Sequence, residues 1–308
     1  MSNALETAAE SGNQGKTRPF YWSVRRELWE NRSLYMAPLI VAGVILFGFL
    51  CTCATLPARR RAVLVLDDPS RARAAIEMPY DVAAMMIMFT CFIVGVFYCL
   101  DALYGERRDR SILFWKSLPI SDLTTVLSKI VIPLVALPLI SFAIIVTTQL
   151  MIFLLSSVVL LLNGISPATT LAHVNLLQNL VFLIYGLVAA SLWHAPTYSW
   201  ALLVSSWAKR ATFLWAILPV IAIGFFEKIT FGTQYFYSMM RYRFTSWAAE
   251  AFALKPNPNS VHGTPILDSL SQLTPGRYLS TPALWVGLLF AVACLAAAVR
   301  LRRYRGPV

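Results

Sequence analysis

The chain has 308 residues, 58% of them hydrophobic and only 13% charged, with a mean hydropathy of +0.64. A soluble globular domain carries roughly 25% charged residues, so this composition points to a polytopic membrane protein instead. The formal net charge of +11 is not a nucleic-acid signature, because the basic residues gather at the ends of apolar runs, where they set topology and meet lipid headgroups.

Residues 1–19 read as a disordered polar tail. The basic start and short apolar core of a secretory signal are missing, so the first membrane helix is expected to be retained. Over 20–32, Phe20, Tyr21, Trp22 and Trp29 interleave with Arg25, Arg26 and Arg32. That pattern suits an interfacial helix on the cytoplasmic surface, or a plain flanking anchor. A span needs about 20 apolar residues, and the runs 34–56, 82–104, 123–162, 176–205, 212–231 and 282–299 qualify. The expected fold is an all-α integral membrane protein with six transmembrane helices, one N-terminal interfacial helix and one short cytoplasmic helix.

The run 123–162 is the ambiguous one. At ~1.5 Å per residue it would make a helix of about 60 Å, twice the hydrocarbon thickness, so it is either two spans or one long rod. Counted as one, it puts the N-terminus, the 105–122 loop, Lys209-Arg210 and the basic stretch Arg300 to Arg305 on one side. Those segments hold fifteen Lys and Arg, against nine in 57–81 and 233–281. One span is therefore expected, kinked at Pro133 or Pro138, with both termini cytoplasmic. Arg59-Arg60-Arg61 then falls outside, without a sequence-level explanation. In the outer segment 232–281, a helix is expected over 234–254, ended by Lys255-Pro-Asn-Pro-Asn-Ser, and a shorter one over 268–273.

Enzyme signatures fail. Gly12-Asn-Gln-Gly15-Lys16-Thr17 has two residues between its glycines where a phosphate loop needs four, and no apolar strand precedes it. His173, His194 and His262 stand without ligand spacing, and the five cysteines lie inside apolar runs as packing residues. Asp101, Lys129, Glu227 and Lys228 fall near predicted helix ends, where long side chains reach water cheaply, so no proton relay is expected. No catalytic, cofactor or metal residue is assigned, and the chain is not expected to be an enzyme.

The segment Tyr104-Gly-Glu-Arg-Arg-Asp-Arg-Ser-Ile-Leu-Phe-Trp-Lys-Ser-Leu-Pro-Ile-Ser-Asp is the most informative. Helical from Ser111, it would set Ile112, Trp115 and Leu118 on one face, with Pro119 as its stop and Ser121 as the cap of the next helix. Such an element could place an apolar knob in a partner's groove while Arg107, Arg108, Arg110 and Lys116 meet carboxylates or lipid phosphate. It could equally be a solvated loop with a positive-inside signature.

The pattern Leu113, Trp115, Ser117, Leu118, Pro119, Ser121 resembles the cytoplasmic loop before the third span of ABC-2-type ABC transporter permeases. Leu192-Trp-His-Ala-Pro-Thr-Tyr-Ser-Trp, running into Ser205-Ser-Trp-Ala-Lys-Arg210, resembles the fourth span and turn of a bacterial branch of that family. Leu273-Thr-Pro-Gly-Arg-Tyr-Leu-Ser-Thr-Pro-Ala-Leu-Trp285 resembles the approach to its last span. The resemblance covers residues 20–305. It implies a permease half, usually an exporter, with 20–32 as connecting helix and 106–119 as coupling region. Glu106, Arg107, Arg110, Ile112, Trp115, Lys116, Leu118 and Pro119 are its candidate ATPase-coupling residues. ATP and Mg would bind a separate ATPase subunit, and a second permease subunit, identical or related, would complete the path. Gln149, Tyr185, Trp193, His194 and Tyr198 are candidate lining groups, since polar groups at membrane depth prefer protein or water to lipid; ordinary packing is the other reading of each. Pro196 is expected to kink the fourth span. A membrane enzyme acting on lipid, or a non-transporting sensor or immunity protein of the same fold, remain the alternatives.

Overall fold

The computed structural model describes residues 19–65, 69–117, 121–166, 168, 176–253 and 270–304. The polar tail 1–18 lies outside them, as do Leu118 and Pro119. Six helices are long and apolar enough to cross a membrane: Ser33–Thr52, Arg71–Arg108, Asp122–Leu162, Leu177–Trp207, Thr212–Phe231 and Pro282–Tyr304. The protein is a multi-pass, all-α membrane protein among the described residues, with one isolated antiparallel bridge between Phe252 and Leu273.

Helix α1 (Pro19–Glu30) precedes α2 (Ser33–Thr52), the first long apolar helix. A short α3 (Leu56–Leu64) leads to α4 (Pro69–Ala102), which starts thirteen residues before the expected run. Its first turns are polar, and the Arg73 Nε to Glu77 Oε1 contact of 2.9 Å is an i, i+4 pair that supports helix beyond the apolar stretch. Two short helices follow, α5 (Tyr104–Arg108) and α6 (Ser111–Ser117).

The long third run is one continuous rod. It comprises α7 (Asp122–Val131), a π-helical turn at Ile132–Ala136, and α8 (Leu137–Leu162). The irregularity falls at Pro133 rather than Pro138. Proline has no N–H and its ring crowds the carbonyl one turn back, and the wider π turn absorbs both faults without ending the helix.

Helix α9 (Leu176–Trp207) continues through Pro196 and packs most extensively along α14 (Pro282–Tyr304), then along α4. Helix α10 (Thr212–Phe231) buries none of its residues within the chain. The expected helix over 234–254 is broken at Ser246 into α11 (Tyr235–Thr245) and α12 (Trp247–Ala251), and Phe252 is already extended. Of the helix expected over 268–273, the described residues form only a 3₁₀ turn at Leu270–Gln272, followed by α13 (Pro275–Ser280). Glu227, partly exposed near the end of α10 as expected, has a further role. It caps α11, accepting from Thr233 Oγ1 and Tyr235 N at 2.7 Å and from Phe236 N at 2.8 Å.

The main core is built from α2, α4, α7, the π turn, α8, α9 and α14, around Ile87, Cys99, Val126, Ile132 and Leu202. A second cluster joins Trp193 of α9 to Ala251, Tyr278 and Leu284, and a third joins Phe49, Tyr80 and Ile152. Gly95 lets three elements meet: a Cβ there would lie 2.9 Å from Tyr198 Cε1 and 3.1 Å from Leu137 Cδ1. Gly95→Ala should therefore destabilise the protein by about 1–3 kcal/mol through overpacking. Thermal unfolding of the purified protein in detergent checks this, and an unchanged melting temperature would refute the close packing.

Candidate functional site

One end of the bundle gathers α1, the end of α4, α5, α6, the start of α7 and the ends of α9 and α14. Its centre is a set of charges with almost no contact with solvent. Lys129 of α7 has a side chain only 3% exposed, and its Nζ lies 2.8 Å from Glu27 Oε1 of α1 and 3.0 Å from Glu106 Oε1 of α5. The Glu27 contact is a directed hydrogen bond; the Glu106 oxygen is off-angle, an ionic contact only. Glu27 also accepts from Tyr98 Oη and from Arg26 Nη2, both at 2.8 Å. Arg302 of α14 donates from Nη1 to Glu106 Oε2, and from Nε to Asp122 Oδ1 at 3.1 Å.

Three carboxylates (Glu27, Glu106, Asp122) thus face three cations (Arg26, Lys129, Arg302). Mutual neutrality is the condition under which such charges persist out of water. The sequence reading missed this site. Lys129 looked like a chain-end lysine reaching for the surface, whereas it is buried between partners about a hundred residues to its N-terminal side and about twenty.

The neighbouring groups tie backbone ends together. Arg107, 4% exposed, donates from Nη1 to Ser206 O at 2.9 Å and Ala208 O at 3.1 Å, satisfying carbonyls at the C-terminal end of α9. Ser205 Oγ accepts from Leu103 N at 2.8 Å and Tyr104 N at 3.0 Å, so α4 and α9 are joined at their ends. Ser121 caps α7, accepting from Thr124 N at 3.1 Å, as its position predicts.

The apolar face of α6 points differently from expectation. Ile112 is 1% exposed and belongs to the chain's own interior, while Leu113 and Phe114 are 58% and 60% exposed. Trp115 is half-buried, with the Arg26 guanidinium 3.7 Å from its ring centroid, a cation–π contact that fastens α6 to α1. Ile112 and Trp115 are thus the inward anchor of α6, and Leu113 and Phe114 its outward edge. The i, i+3 spacing identified a face without fixing its direction, because the opposite side of the helix is apolar too. Arg110 is exposed and sits in the left-handed region at φ 58°, turning the chain from α5 into α6. Lys116 Nζ donates to Arg303 O at 3.4 Å.

The expected path-lining groups are engaged within the chain. Trp193 is fully buried and donates to Arg243 O at 2.7 Å, and Tyr198 packs in the core 5.9 Å from Phe92 between ring centroids. His194 lies edge-on to Phe92, with its Nδ1 2.9 Å from Ala190 O. Tyr185 Oη donates to Ala251 O at 3.0 Å, and Gln149 Nε2 to Tyr80 O at 3.3 Å. They are spread over two helices, α8 and α9.

No family model, no curated protein and no solved structure matches this chain. Among the described residues no group of three His, Cys, Asp or Glu is placed to hold a metal ion.

Removing one member of the ion cluster leaves others buried without a counter-charge. Lys129→Met should cost about 3–5 kcal/mol, and adding Glu27→Gln to it should recover part of that loss. Melting temperatures of the two single variants and the double variant measure the coupling; strict additivity would contradict it. Acid should act on the same contact. Burial raises the Glu27 carboxyl, but Lys129 and Arg26 outweigh it and hold it below the ordinary 4.5. A carboxylate held down in the folded state contributes stability that is complete above its unfolded value and is lost as pH falls through its folded value. Protease cleavage within α1 should therefore rise on acidification below 4.5, and Glu27→Gln should remove that pH dependence.

Proposed function

We propose that the chain is the transmembrane permease subunit of an ABC transporter of the ABC-2 type, an exporter half that works with a separate ATP-hydrolysing subunit. One observation carries this reading. A short helix, α6, offers Leu113 and Phe114 outward, while its base is fastened through charges and Arg107 to α1 and to four long apolar helices.

A docking element is useful to a machine only if force on it reaches the spans. An apolar knob on a loose loop would dissipate a push. Here Trp115 lies under Arg26, Arg26 binds Glu27, Glu27 binds Lys129 of the third long helix, and Glu106 binds Arg302 of the last. On this reading ATP-driven closure of the motor shifts the equilibrium between two arrangements of the spans, with α5 and α6 as the lever. Leu113 and Phe114 make the contact, and the exposed Arg108 and Arg110 steer it. Both termini are then cytoplasmic. A second permease subunit encloses the path, and α10, none of whose residues is fully buried within the chain, is a surface available to it or to lipid.

The reading requires an ABC ATPase gene in the neighbourhood of this one, and the test is reconstitution of the full chain with its product. Leu113→Ala with Phe114→Ala should weaken assembly by roughly tenfold, about 1.4 kcal/mol, and lower permease-dependent ATP hydrolysis, with the permease's melting temperature held. Undiminished assembly and hydrolysis would sink the coupling assignment, and a C-terminal reporter found outside the cell would sink the topology.

A further inference from the structure

The triple arginine at 59–61 has no part in the site above; it lies at the opposite end of the bundle, on α3. Its three members differ. Arg59 is exposed, and Arg61 is exposed and donates from Nη2 to Asn163 O at 3.3 Å. Arg60 is 6% exposed, turned in against α4 and α8, and its Nη1 is sealed from solvent with no hydrogen-bond partner.

A second orphan donor lies beside it. Tyr80 of α4 is 3% exposed, and its hydroxyl is also buried without a partner. The two are near enough for the phenol to act on the guanidinium electrostatically; burial pushes Arg60 down and Tyr80 partly offsets this. Of the neighbouring groups, Ser156 lies beside the Tyr80 phenol and donates its own proton to Phe153 O at 2.9 Å, Gln149 is bonded to the Tyr80 carbonyl, and Glu77 is paired with Arg73, which leaves the Arg60 Nη1 without an acceptor. A buried guanidinium nitrogen without an acceptor, beside a phenol, is an arrangement suited to an anion.

The level of the pair along the bundle says what that anion is attached to. Just inside it, Phe47 of α2 and Met85 and Met86 of α4 are more than half exposed. These are surfaces that only acyl chains would cover. Just beyond it come Arg73 and Glu77 of α4 and the exposed Arg59 and Arg61 of α3. The pair therefore sits where apolar helix faces give way to water, which is the plane of lipid headgroups. We infer that Arg60 and Tyr80 form a binding site for a phosphate oxyanion carried by a lipid headgroup, packed between α3, α4 and α8. Arg60 supplies the charge, Tyr80 a second hydrogen bond, and Arg61 fixes α3 to the end of α8.

The test uses the full-length protein in dodecyl maltoside, a detergent without phosphate. Melting temperature and native mass spectra are recorded against short-chain phosphatidylglycerol and, separately, inorganic phosphate. Wild type should take up one phosphatidylglycerol per chain with a saturable rise in melting temperature. Arg60→Gln should lose at least tenfold in apparent affinity while melting no lower than wild type before lipid is added, because the substitution removes an uncompensated charge. Tyr80→Phe should weaken binding less, and Arg59→Gln should bind as wild type does. Equal binding by wild type and Arg60→Gln, or none by wild type, overturns the site. An equal response to inorganic phosphate overturns the lipid origin in favour of a free oxyanion.

Discussion

Lys129 held between Glu27 and Glu106 is the constraint on which the rest of the near end depends. An ammonium on an apolar helix, away from water, is tolerable only when opposite charge arrives from elsewhere in the chain. Here it arrives from α1 on one side and α5 on the other, and Arg302 and Arg26 balance the surplus carboxylate charge. Apolar contacts between helices are forgiving of small slips along the axis; ion pairs at 2.8 Å are not. The cluster therefore sets the register of α1, α5, α7 and α14 against one another, at an end where the long helices leave the apolar layer and packing alone specifies least.

Helix α9 connects that end to the opposite half of the molecule. At its C-terminal end its carbonyls accept from Arg107, and its Ser205 accepts the amides where α4 passes into α5. Fourteen residues before that end, Trp193 donates to Arg243 O, and Tyr278 Oη donates to Ala189 O at 2.7 Å. Arg243 in turn donates to Ala283 O at 3.1 Å at the start of α14 and lies 4.7 Å from the Trp193 ring centroid. Gly287 leaves room for that guanidinium, which a Cβ would strike. The described parts of the segment read as an outer loop thus pack as a cap, with backbone groups satisfied by tyrosine, tryptophan and arginine side chains. Irregular backbone near the apolar layer persists only on such terms.

The membrane character and the six long helices were legible because they rest on composition over about 20 residues, which a single chain displays in full. The single-rod reading of 123–162 was legible from charge distribution, and the cap at Ser121 from local spacing. What sequence could not carry was pairing across distance. Nothing local marks Lys129 as buried rather than reaching for the surface, since its partners Glu27 and Glu106 are remote or lie across a turn. The same holds for Glu227, whose role as a cap depends on α11 folding back over it. Helix ends were also misjudged, because α4 continues for thirteen residues of polar sequence that an apolar-run criterion excludes.

The orientation of α6 is the most instructive case. Four apolar side chains, Ile112 to Trp115, occupy consecutive positions, so every side of the helix carries one and periodicity alone assigns no inside. The choice is made by charge. Trp115 turns inward because Arg26 offers a cation above its ring, and Arg26 is there because Glu27 is held by Lys129. With Trp115 drawn toward α1 and Ile112 closing against the bundle, Leu113 and Phe114 have only the outside left. Which residues of α6 stay exposed therefore follows from a buried lysine on another helix. The ion cluster specifies the apolar edge that this end presents.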